Sequence, residues 1–84
     1  MTQNQPSPNE FFERARKGVL AFLTEKGGML SLAEMHDYSM NKFLIQHQGF
    51  SRMMESFVGE GLVEYDYAKD EVRLTEAGKK FASP

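Results

Sequence analysis

Two groups of side chains in this chain of 84 residues could carry chemistry. His36, Asp37 and His47 offer imidazoles and a carboxylate, the types that ligate zinc and similar ions. The two histidines stand eleven positions apart, on different expected helices and with no cysteine to complete a set. They are therefore read as ordinary surface or boundary histidines; a deep polar pocket uniting all three would argue otherwise. Ser31 and Ser51 lack the base and orienting group that turn a hydroxyl into a nucleophile. No catalytic residue, metal or cofactor is expected, and the chain is not expected to be an enzyme. The second group is His47, Gln48, Ser51 and Arg52 with Glu55, hydrogen-bonding side chains on one side of an expected helix.

That helix has a clear apolar side. Phe50, Met54 and Phe57 recur at i, i+4 and i+7, with Met53 and Val58 widening the stripe. Such a stripe of Met and Phe reads as core. Gly61 supplies the left-handed residue that stops a helix, and Leu62-Val63-Glu64-Tyr65 follows at once as a strand. The helix is expected from about residue 46 to 59. Its turn lies near Leu44-Ile45, with Gln46 a poor cap and Gly49 tolerated at roughly 1 kcal/mol. The competing parse starts it at Phe50 or Ser51.

Upstream, Ser7-Pro8-Asn9-Glu10 gives a helix start, with Ser7 as cap and Glu10 as its reciprocal carboxylate. Phe12, Ala15, Val19, Phe22 and Leu23 then point inward, and Glu13, Arg14, Arg16 and Lys17 outward, until Gly27-Gly28. Met29-Leu30 suits a short strand. Ser31 and Glu34 form a second capping box. Leu32, Met35, Ser39, Met40 and Phe43 share a face of a second helix, ending at Lys42 or Phe43. Asp37, Ser39 and Asn41 compete locally with its backbone, so an irregular loop around Tyr38 to Asn41 is the alternative. Beyond Leu62, Val63, Tyr65 and Tyr67 alternate with Glu64 and Asp66. Ala68-Lys69-Asp70 turns, and Glu71-Val72-Arg73-Leu74 returns as a partner strand. Thr75 caps a last short helix whose Ala77 and Phe81 reach the core.

Composition narrows the classes. One core is all that this length supports, so residues 7–84 are read as a single domain after a disordered tail at 1–6. A deep catalytic pocket has little room. No apolar run approaches the ~18 residues of a membrane helix, the N-terminus lacks a secretion-signal layout, and there is no Cys. A cytoplasmic protein without membrane contact is expected. Ten basic against twelve acidic residues leave a net charge of −2, unfavourable for phosphate binding.

Val19 to Leu23, Phe57 to Tyr65 and Leu74-Thr75-Glu76-Ala77-Gly78-Lys79-Lys80-Phe81 together resemble the winged helix-turn-helix superfamily, from Ser7 to Ala82. The resemblance implies an α+β fold: a three-helix core, a short first strand, a two-stranded wing over about 62–74 and a short C-terminal helix. It also implies a transcriptional regulator that reads the DNA major groove with its third helix. Carried over, the reading residues are His47, Gln48, Ser51 and Arg52, where Gln suits adenine and Arg guanine. Lys42, Lys69 and Arg73 become phosphate contacts. The pattern departs where Glu55 joins Arg52 on the exposed face, and where the wing sets Asp66, Asp70 and Glu71 against Lys69 and Arg73. Phe57-Val58, Val63-Glu64-Tyr65 and Gly78-Lys79 carry a weaker similarity to small free-standing winged-helix proteins such as the dissimilatory sulfite reductase D protein. That one implies a protein-binding or regulatory module that need not touch DNA. Phe11 and Phe12 cannot both point inward, which suggests a homodimer through the N-terminal helix.

Overall fold

A computed structural model describes residues 8–83; the expectations for the tail at 1–6 and for Ser7 as a cap lie outside them. The elements run α1 (Pro8–Glu25), β1 (Met29–Leu30), α2 (Leu32–Phe43), α3 (His47–Gly59), β2 (Val63–Asp66), β3 (Glu71–Leu74) and α4 (Glu76–Ala82). Each helix end has a local cause. The Gly28 N–H donates to Leu23 O and the Gly27 N–H to Thr24 O, with Gly27 at φ 94°, so a left-handed glycine closes α1. Helix α3 closes the same way: Leu62 N–H reaches Phe57 O at 2.8 Å, Gly61 N–H reaches Val58 O, and Gly61 sits at φ 73°.

The Ser31 box is complete, with Ser31 Oγ accepting from the Glu34 N–H and Glu34 Oε1 from the Ser31 N–H. Helix α2 is unbroken through Tyr38 to Asn41, and buried Ser39 donates its hydroxyl to Met35 O within the helix at 2.8 Å rather than to a competing turn. It stops at Leu44, a left-handed residue (φ 58°) whose side chain is 81% exposed. Helix α3 starts at His47 with Gln46 as an N-cap that makes no side-chain bond, the longer of the two parses.

The strands form one antiparallel sheet in the order β1-β3-β2. In its register Val63 faces Leu74 and Tyr65 faces Val72, while Glu64 faces Arg73 and Asp66 faces Glu71. Strand β1 adds Leu30 opposite Val72 and Met29 opposite Arg73. Side chains alternate across a strand, so one sheet face is apolar and the other carries the charges.

Beneath the apolar face lies a core that includes Val19, Leu20, Leu23, Met35, Phe50, Met53, Phe57, Leu62, Val63 and Val72. Phe22, Leu32 and Leu74 pack on it half-buried, and Phe22 stacks on Tyr38 with ring centroids 3.8 Å apart. Four inward or outward assignments change. Met40, Val58 and Ala77 are exposed rather than in the core. Arg16 is buried rather than outward: its guanidinium bonds Glu13 at 2.8 Å and Glu60 at 2.7 Å and lies 5.0 Å from the Phe81 ring centroid. Burial alone would weaken that charge, but the bonds to Glu60 and Glu13 outweigh it and raise the Arg16 pKa.

Among the described residues, four helices and a three-stranded antiparallel sheet thus make a compact α+β domain, compatible with a winged-helix layout. No helix among the described residues is long and apolar enough to cross a membrane.

Candidate functional site

The polar side of α3 stands free of the core, and it divides into an outer ridge and a flank. At 100° per residue, Gln48, Arg52 and Glu55 form the ridge opposite Phe50 and Phe57, while His47, Ser51 and Val58 turn toward the β2–β3 hairpin. All six are exposed.

Between that flank, the start of α2 and the inner face of the hairpin runs a groove of about 900 Å³. One carboxylate links the hairpin turn to the start of α2. Asp70, itself left-handed at φ 52°, accepts from the Tyr65 hydroxyl at 3.0 Å and from the Leu32 N–H at 3.3 Å. Leu32 opens α2, so Asp70 supplies both an acceptor and a negative charge at that helix N-terminus. The Tyr65 pKa is raised, first by desolvation and then by Asp70. Tyr67 extends the aromatic wall, edge-on to Tyr65 with centroids 4.5 Å apart.

The apolar wall is formed by Met54, Val58, Tyr65 and Tyr67, with Val58 50% and Tyr67 85% exposed. Its charged lining is Asp37, Glu55 and Asp70, with no Lys or Arg. His36 and His47 line it too, ring centroids 5.6 Å apart, with His36 edge-on to Phe50. His36, Asp37 and His47 therefore do converge, but on a groove whose walls are largely apolar. No cluster of three or more metal-ligating side chains that could hold an ion occurs among the described residues.

The expected phosphate contacts are scattered. Lys42 lies beside a separate depression between α1 and α2, with Phe22 and Tyr38. Lys69 sits in the hairpin turn, where its N–H and that of Ala68 both donate to Asp66. Arg73 occupies the outer face of the sheet. It is bonded to Glu71 at 2.8 Å and faces Glu64, and Glu71 is the first cause of its raised pKa. Of the expected reading residues, His47 and Ser51 line the groove, whereas Gln48 and Arg52 do not.

The groove was only half visible in the sequence. Alternation put Tyr65 and Tyr67 on the inner strand face, yet the wall also needs the hairpin set against α2 and α3, where Asp70 meets Leu32 across 38 positions. Compared with protein-family models, with curated proteins and with solved structures, the chain matches none.

Proposed function

We propose that the chain is a winged-helix module that binds a protein partner on the concave face between α3 and the wing formed by β2 and β3. What carries this reading is the lining of that face: an apolar and aromatic wall with Asp37, Glu55 and Asp70 and no Lys or Arg. Duplex DNA demands the reverse, since each phosphate contact gains its affinity from a cation that displaces counterions. Exposed apolar area beside unpaired polar groups is instead what partner proteins cover.

DNA reading is the second interpretation, and one observation favours it. Gln48 and Arg52 are exposed on the outermost ridge of α3, where a groove-reading helix carries its base contacts. Glu55 shares that ridge, and Arg73 is already bonded to Glu71. A dimer through α1 would be needed to add contacts; Phe11, 41% exposed near its start, is the residue available for that.

Two measurements together decide between them. Fluorescence anisotropy with random duplex DNA at low salt should give no binding, and hence no slope of log affinity on log salt. A photo-crosslinking residue replacing Ser51 should give discrete protein adducts in cells, and one replacing exposed Ala21 on α1 should not. A measurable salt slope, or nucleic-acid adducts at position 51, would return the face to DNA.

A further inference from the structure

We infer that the partner element seated in the groove between α3 and the hairpin is a short cationic amphipathic segment. It places large apolar side chains over Met54, Val58 and Tyr65, and Lys or Arg beside Glu55 and Asp37. The inference rests on the protein-binding reading and specifies its chemistry.

Charge complementarity carries it. Of the three carboxylates in the lining, Asp70 is committed to Tyr65 and Leu32. Asp37 and Glu55 form no ion pair or hydrogen bond with the chain among the described residues. They are carboxylates on an apolar rim, and a partner that covers the apolar wall lowers the dielectric around them. An uncharged partner would then desolvate them without compensation; an acidic one would add repulsion. A cation resolves both, and the exposed Tyr67 ring offers its face to the same cation.

The apolar half of the segment follows from adjacency. Phe11, Met40 and Leu44 are exposed outside this groove, but Val58 and Tyr67 share one wall with Met54 and Tyr65. An amphipathic segment laid in a groove anchors on such a strip through side chains spaced at i, i+3 and i+4. The chain's own first seven residues, Met-Thr-Gln-Asn-Gln-Pro-Ser, hold no cationic side chain and do not fit the description.

The test uses the full chain and a fluorescent peptide of ~14 residues, about four helical turns, built from Leu on one face and Lys on the other. A Leu/Glu peptide of the same pattern is the control. Anisotropy should show the Lys peptide binding and the Glu peptide not, with affinity falling several-fold between 50 and 200 mM salt as screening shortens. Glu55→Lys and Val58→Asp should each weaken binding about tenfold or more, an effect typical of losing a charge or anchor at an interface. Glu25→Lys, at the exposed last residue of α1 and outside the groove, should leave it unchanged, and all three variants should melt close to the wild type. Equal binding of the two peptides, or Glu55→Lys at wild-type affinity, would overturn the inference. So would concentration-dependent dimerisation abolished by Glu55→Lys, which would make the occupant a second copy. Protein adducts at position 51 without Lys-peptide binding would defeat this inference alone; nucleic-acid adducts would defeat the protein-binding reading as well.

Discussion

The two sides of α3 treat charge beside aromatic rings in opposite ways. Where α3 ends, buried Arg16 sits 5.6 Å from the Phe57 ring centroid and 5.0 Å from that of Phe81, its charge answered by Glu13 and Glu60. That side is closed: three helices meet there, and the charged group contributes to fixing them. On the side toward the hairpin, Glu55 and Asp37 line the same groove as Val58 and Tyr67 and form no ion pair among the described residues. The same kinds of side chain make a clamp when the partners are internal and a docking face when they are not. Charges already matched within the fold add little to recognition, which is why Arg73, bonded to Glu71, weighs less than unpaired Glu55.

The largest effect should separate the two flanks of α3 themselves. Phe57→Ala, at a fully buried position, should cost about 3–5 kcal/mol and leave little folded protein. Val58→Ala, one position on, should stay within about 0.5 kcal/mol. Urea melts of the pair measure the difference; equal midpoints would mean that the buried face has been misassigned.

Next in size is the closed side's charge. Arg16→Ala should destabilise by about 1–3 kcal/mol, because it removes the packed stem as well as the cation. Arg16→Met, which restores the stem, should recover a good part of that, since Glu13 and Glu60 are each about half exposed and can be hydrated. Thermal melts of the two variants test this, and a Met variant as unstable as the Ala variant would assign the effect to the ion pairs alone.

The smallest effect lies at the start of α2, on the open side. Ser31→Ala should cost about 1 kcal/mol at neutral pH, as loss of an N-cap usually does. The Glu34 carboxyl is held below its ordinary pKa, first by the Ser31 backbone N–H and then by the Ser31 side chain. Its contribution is therefore full at pH values above the ordinary carboxylate range, where the unfolded chain is also ionised. It is lost as pH falls through the lowered folded value. Stability measured from neutral to acid pH should fall less steeply in Glu34→Gln than in wild type. Identical pH profiles would remove Glu34 from the cap.

Glycine and cap signals made the element order readable from the chain alone. Gly27 and Gly61 supply left-handed residues at helix ends without a side-chain clash, and Ser31 with Glu34 satisfies two orphan N–H groups within four residues. These are local devices, so local sequence contains them. The end of α2 was less legible because no glycine marks it: Leu44 adopts the left-handed conformation against its own preference, a cost of about 1–2 kcal/mol. Ile45, 7% exposed and packed into the core just beyond, has the burial that fixes this turn, and that burial is tertiary.

Helical period placed Phe50, Phe57, Val19 and Leu23 in the core, since an apolar stripe needs only one buried side to be legible. It could not foresee Arg16, which looks like any outward cation until Glu60, 44 positions away, and Phe81 close around it. Nor could it separate Val58 from Met54, both on the stripe's edge, where the position of the hairpin decides which is covered. The groove belongs in large part to that second class, although alternation puts Tyr65 and Tyr67 on one strand face. Its residues are ordinary in sequence, and they become a face because β1–β3 pairing, buried Val63 and Val72, and the Asp70 bond to the first N–H of α2 set the hairpin beside α3, with Val58, Tyr67 and Glu55 left exposed.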